Sequence, residues 1–227
     1  ERQIKEMSRH FDINMKILRK CSTETEGDFV QKTDSLPIRI VYAGKLYQGR
    51  DKTLMKLCDA IRKINSDSIS FELHVYTTSN VSARVRKRLN DGRNCFLHEP
   101  VSSEKLRKIY YKADIALSVE SFDLAYKLST RVSFSTKIID CLESTCAVMM
   151  IGWKENTGYE YLFDKNAAIC IGNAKLIEEK LKEILSDLSI LEEYRRNAYR
   201  CLLKYHRRKE VQECLYKDLI EVIGIGV

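Results

Sequence analysis

Two rhythms of apolar and polar residues alternate along this chain. Short apolar runs of strand length are separated by longer stretches in which apolar residues return every three or four positions, the spacing of one helix face. Residues 1–12 read as a helix and "NMKILRK" (14–20) as a short strand, and the polar, aperiodic segment 21–37 reads as a connector. Regular alternation follows. "IRIVYAG" (38–44) predicts a strand, and "DKTLMKLCDAIRKI" (51–64) a helix with Leu54, Cys58, Ile61 and Ile64 on one side. "SFELHVYT" (70–77), "NCFLHEP" (94–100) and "DIALSVE" (114–120) are further strands, separated by helices over 80–90 and 102–113, the second capped by Ser102 or Ser103. An irregular stretch at 121–134 precedes the helix "KIIDCLEST", the strand "CAVMMIG" (146–152), a short helix over 158–166 and the strand "AAICIG" (167–172). Helices over 173–188, 190–206 and 207–222 close the chain.

This order predicts an α/β fold, a doubly wound, Rossmann-like parallel sheet with helices on both faces and extra C-terminal helices. Its expected organisation is a remnant and connector at 1–35, the sheet domain at 36–189 and the terminal helices at 190–227. In such sheets ligands sit at the carboxyl ends of the strands, beside helix N-termini. That points to 44–51, 77–80, 99–103, 120–137 and 152–158.

Composition narrows the class. With 44% hydrophobic residues among 227, the chain can bury a core, which argues against disorder. No apolar run is long enough to span a bilayer, and the charged opening "ERQIKEMSRHF" is unlike a secretory leader. The eight cysteines form no CxxC pair and mostly fall in apolar stripes, as expected of buried thiols in a reducing cytosol. A net charge of +7 implies an anionic partner. The basic runs 84–93 and 204–210 read first as solvated helix faces, with peripheral contact to an acidic membrane surface as the sharper alternative. Aromatic residues are not interleaved with the first run, which argues against nucleic acid.

The candidate chemistry lies in two turns. In "YAGKLYQGRD" (42–51), Gly44 ends a strand, Gly49 precedes a helix, and Lys45 and Arg50 stand at the mouth. Glycines admit close approach of backbone amides to an anion, and two cations suit a diphosphate. The segment lacks both the P-loop ending and the GxGxxG spacing, so an ordinary strand-to-helix turn with surface charges is the competing reading. In "STKIIDCLE", Ser135 is the expected N-cap, Lys137 adds a cation, and Asp140 lies one turn on, where its carboxylate could accept from a ribose diol. A capped helix with an early acid is the alternative there. The backbone at Glu99, Pro100 and Val101 is placed to edge a nucleobase. Of the four histidines only His98 falls near a strand mouth, and no DxD pair or His/Cys cluster suggests a metal.

The sequence of "RIVYAGKLYQGRDKTLMKLCDAI", "FLHEPVSSEKLRKIYYKADIALSVES", "STKIIDCLESTCAVMMIG" and "NTGYEYL" resembles the C-terminal half of GT-B glycosyltransferases, most of all the large retaining group called family 4. The resemblance implies a nucleoside-diphosphate-sugar donor, with Lys45 and Arg50 on the diphosphate, joined by Ser135, Thr136 and Lys137, and Asp140 on the ribose. It implies retaining transfer without a metal or other cofactor, onto a cell-surface polysaccharide or glycolipid acceptor held by an N-terminal domain. The family's first paired glutamate falls at Val132, so that half of its signature is missing here. The sheet pattern alone leaves open a non-catalytic nucleotide-binding module and a flavodoxin-like regulatory or interaction domain.

Overall fold

The fold was analysed in a computed structural model that describes residues 2–12, 15–22, 29 and 31–224. Six strands build one sheet: β1 Ile38–Ala43, β2 Phe71–Tyr76, β3 Cys95–His98, β4 Ile115–Val119, β5 Ala147–Ile151 and β6 Ile169–Ile171. The helices are α1 Arg2–Met7, α2 Arg50–Ile64, α3 Ala83–Leu89, α4 Ser103–Tyr111, α5 Leu124–Thr130, α6 Lys137–Glu143, α7 Thr157–Asp164, α8 Ile177–Ser186, α9 Ser189–Tyr205 and α10 Arg208–Ile223. All strand pairs are parallel, in the order β3-β2-β1-β4-β5-β6. This is the predicted doubly wound α/β fold.

Burial explains why the strands read as continuous apolar runs. Every residue of β4 and β5 is buried, because helices cover both faces at the sheet centre. One face carries Ile40, Leu73, Val75, Leu117 and Met149 under Leu54, Leu57 and Ile61 of α2 and Leu181 and Ile184 of α8. The other packs Val41, Ala116, Val148 and Met150 against Ile138 and Ile139 of α6, Leu162 of α7, and Ala198 and Leu202 of α9. Strand β2 is different. It alternates buried Phe71, Leu73 and Val75 with half-buried Glu72, His74 and Tyr76, since it lies one place from the edge.

Three expectations need correction. Residues 15–20 carry no regular structure, so the short strand expected there does not form; Asn14 lies outside the described residues. Helix α1 ends at Met7 rather than running to residue 12. The stretch read as irregular at 121–134 contains helix α5, which begins after Asp123 and leaves Leu124 and Leu128 largely exposed. With its leucines unburied, α5 has no core-facing stripe for a periodicity argument to find. The cysteines follow expectation only in part: Cys58, Cys95, Cys141, Cys146 and Cys201 are buried, Cys21 and Cys170 are half-buried, and Cys214 is exposed.

Candidate functional site

Strand order reverses direction between β1 and β4, and the crevice beyond their carboxyl ends is where this topology places a ligand. The turn after β1 forms one wall. Gly49 is the N-cap of α2, with φ of 75° in the left-handed region that glycine enters without a Cβ penalty. A Cβ there would also meet Ser121 Oγ and lie 2.8 Å from Tyr126 Cδ2, so the turn is pressed against the segment after β4. At Gly44 a Cβ would occupy the place of the Lys137 ammonium and come within 2.8 Å of its Cε. The missing side chain at Gly44 is therefore what lets Lys137 reach the mouth.

Arg50 opens α2. Its Nη2 donates to Glu120 Oε1 at 2.9 Å and its Nε to the Val119 carbonyl at 3.3 Å. Burial opposes its charge, but the hydrogen bond and the field of Glu120 outweigh burial, and its pKa is raised. Glu120 is 4% exposed and its second oxygen, Oε2, is buried without a partner. Tyr47 stands between two cations, with its ring 5.7 Å from Lys45 Nζ and 5.5 Å from the Arg50 guanidinium carbon. Lys45 is exposed, and its carbonyl accepts from the buried Tyr42 hydroxyl at 2.8 Å. The Lys137 ammonium lies 5.6 Å from the Tyr42 ring centre. Burial, then the neighbouring Arg50, lowers its pKa. Three cations and one internal carboxylate thus meet at the switch point, leaving an excess of positive charge in a partly dry crevice, which suits an anion with several charged oxygens.

The start of α6 differs from expectation. Thr136, not Ser135, is the N-cap, and its side chain makes no capping bond. The Ser135 and Thr136 carbonyls instead accept from the Ile138 and Ile139 amides at 3.1 and 3.2 Å. Asp140 lies on the first turn, and its Oδ1 pairs with the Lys20 ammonium, which also donates to the Thr136 carbonyl at 3.3 Å. Glu99, Pro100 and Val101 follow β3, an edge strand two places from β1, with Glu99 and Pro100 exposed. His98 turns to its neighbours: its Nε2 lies 3.0 Å from His74 Nδ1 and its ring stacks on Tyr76 at 4.5 Å. The structure therefore brings Gly44, Lys45, Gly49, Arg50 and Lys137 into one crevice and leaves Glu99–Val101 at the far edge.

Sequence reasoning missed Glu120, Tyr47 and Tyr42. Glu120 had a signal, being an acid that closes the strand run "IALSV". Its meaning depends on knowing that β4 lies beside β1. The loop after β5 is also organised. Asn156 accepts from the Gly158 and Tyr159 amides at 2.9 and 3.2 Å, and Thr157 donates to the Arg131 carbonyl at 2.9 Å, tying the start of α7 to the end of α5. Among the described residues no group of three or more His, Cys, Asp or Glu could hold a metal ion, and no helix is long and apolar enough to cross a membrane.

No family model matches the sequence, and no curated protein matches it. Solved structures do match the fold. A mutant of S. aureus TarM, in complex with fondaparinux, alpha-GlcNAc-glycerol and UDP, superposes with a TM-score of 0.69 at 14% identity, over 96% of this chain and 42% of that one. The pneumococcal O-GlcNAc transferase GtfA, in complex with UDP and GlcNAc, gives 0.63 at 17% identity, over 98% of this chain and 44% of its own. The C-terminal domain of a group 1 family glycosyl transferase, LpcC from Francisella tularensis, gives 0.57 at 14% identity, over 75% of this chain and 87% of that domain. The chain thus spans less than half the length of the first two and most of the isolated domain. Its fold is that of the C-terminal, Rossmann-like domain of GT-B glycosyltransferases.

Proposed function

We propose that this chain is the donor-binding half of a glycosyltransferase and takes a nucleoside-diphosphate sugar at the β1–β4 switch point. The observation that carries the reading is the convergence of Lys45, Arg50 and Lys137 on one crevice floored by Gly44, under a fold shared with structures that hold UDP. In this reading the three cations hold the diphosphate, with Ser135 and Thr136 beside it, Asp140 accepts from the ribose diol, and the base lies toward Glu99–Val101. When the bond from the anomeric carbon to the diphosphate oxygen breaks, negative charge grows on that oxygen, and fixed cations in a water-poor crevice stabilise it. We take the transfer to be retaining and metal-independent, of the family 4 kind, with an acceptor of the surface-polysaccharide or glycolipid class held by a further N-terminal domain. Eight cysteines without a disulfide support a reducing, cytoplasmic setting, and the basic helices support peripheral contact with the inner face of a membrane.

The second reading is a nucleotide-binding module without turnover, and Val132 favours it by standing where family members carry a glutamate. Calorimetric titration with UDP, GDP, ADP and CMP tests the shared part of both. Selective binding by one diphosphate, weakened at least tenfold by Arg50→Ala, is the expected result; a folded protein that binds none of the four rejects the donor site. Turnover is tested by adding acceptor and the N-terminal domain.

A further inference from the structure

The segment before the sheet domain reaches the proposed ribose site through the Lys20 side chain. Lys20 is 120 positions from Asp140 in sequence, yet its ammonium bridges Asp140 Oδ1 and the Thr136 carbonyl across the first turn of α6. Its position is fixed from behind. His206, at the junction of α9 and α10, is 2% exposed and meets the segment at two points. Its Nδ1 lies 2.8 Å from the Lys20 carbonyl, and its own carbonyl accepts from the Ser22 amide at 2.8 Å. A carbonyl can only accept, so Nδ1 carries the proton, and Nε2 accepts from the Tyr161 hydroxyl at 2.8 Å. The backbone at 20–22 is thus pinned to the α9–α10 elbow, and the Lys20 side chain leaves that anchor aimed at α6.

We propose that Lys20 is a positioning residue for Asp140: it takes one carboxylate oxygen and so turns the other, Oδ2, toward the ribose diol of a bound nucleotide. No described residue donates to Oδ2. A solvent-facing carboxylate rotates freely about its last bond, and a fixed ammonium on one oxygen removes that freedom before the ligand arrives. Both partners are partly exposed, at 31% for Lys20 and 44% for Asp140, so the pair by itself adds little to stability. An ion pair joining segments so distant, of little worth to the fold and placed beside the anion crevice, is better explained by what it does to Asp140. The proposal rests on the ribose assignment made above and assigns to the segment before the sheet a share in donor recognition.

The test compares the full chain and its variants for binding of UDP, GDP and ADP, each against its 2′-deoxy counterpart. A hydrogen bond from a diol to a carboxylate predicts a preference for the ribose form of about tenfold or more. Asp140→Ala should abolish that preference. Lys20→Ala should cut it severalfold with the thermal midpoint nearly unchanged, Lys20→Arg should restore most of it, and the double variant should be no worse than Asp140→Ala alone. If Asp140→Ala abolishes the preference and Lys20→Ala leaves it intact, the positioning role is wrong while the ribose assignment stands. If Asp140→Ala leaves it intact, or no diphosphate binds, the ribose assignment fails and the role of Lys20 falls with it.

Discussion

Glu120 and Arg50 show how one side chain can serve both fold and site. Their side chains are 6% and 14% exposed, so each charge depends on the other. Removing one member of a buried pair leaves the other uncompensated, typically at a cost of about 3–5 kcal/mol. Glu120→Ala should cost that much in denaturant unfolding, and it should weaken diphosphate binding because the guanidinium loses its main anchor. Glu120→Gln separates charge from position. The amide oxygen can still accept from Arg50 Nη2, while the new NH₂ falls where Oε2 now lacks a partner, at a cost of about 1–3 kcal/mol. With the negative charge gone and Arg50 still in place, the crevice becomes more cationic, and diphosphate binding should tighten severalfold at low salt. Calorimetry at two salt concentrations checks this. Weaker binding by Glu120→Gln at low salt would mean that the carboxylate contributes more than an anchor for Arg50.

At the scale of elements, the capping of α7 makes a prediction of the same kind. Asn156 is 2% exposed and satisfies two amides at the start of the helix, and its Nδ2 lies 3.4 Å from the Thr130 carbonyl at the end of α5. Asn156→Ala should cost about 1–2 kcal/mol, and hydrogen exchange should quicken at both the Gly158 amide and the end of α5. Exchange confined to α7 would show that the α5 link carries no weight. Legibility followed burial. Helix α2 was readable because Leu54, Leu57, Cys58 and Ile61 face the core. Its first residue, Arg50, could be placed at a mouth because Gly49 announces the turn. Helix α5 gave no stripe, and residues 15–20 gave a false one. Ile17 and Leu18, two apolar neighbours among cations, imitate a short strand, yet they lie on a segment held by Lys16, Lys20 and the backbone rather than by a sheet. The crevice was half legible. Its cations follow glycine turns or open helices, whereas Glu120 and Tyr42 acquire meaning only from the strand order. Lys20 could not have been assigned from sequence at all, since what brings it to Asp140 is a pin at His206.

At the scale of the whole molecule, the buried His206 and the half-buried His98 couple the fold to pH. Burial lowers the pKa of His206 against the opposing pull of its bond to the Lys20 carbonyl, and burial together with His74 lowers that of His98. In the unfolded chain a histidine titrates near about 6.5. Below that pH the unfolded state binds protons that the folded state resists, so stability falls as pH falls, and continues to fall until the folded pKa is passed. Above about 6.5 both states are neutral and the contribution is complete. The urea midpoint should therefore hold steady from pH 8 to 7 and drop between pH 6.5 and 5.5. His206→Gln should lower the midpoint at pH 7.5, because the Lys20 carbonyl and the Tyr161 hydroxyl lose the imidazole, and should flatten part of the acid slope; His98→Gln should flatten the rest with a smaller loss at pH 7.5. A midpoint that rises or stays level between pH 7.5 and 5.5 would mean that the histidines are charged in the folded protein, and the neutral tautomer assigned to His206 would be wrong. Loss of the His206 imidazole would also free the Lys20 carbonyl, while the backbone bond from the Ser22 amide stays. Protonation at Nε2 removes the acceptor for the Tyr161 hydroxyl but leaves Nδ1 donating to the Lys20 carbonyl, so the preference for ribose over 2′-deoxyribose should persist until the protein unfolds.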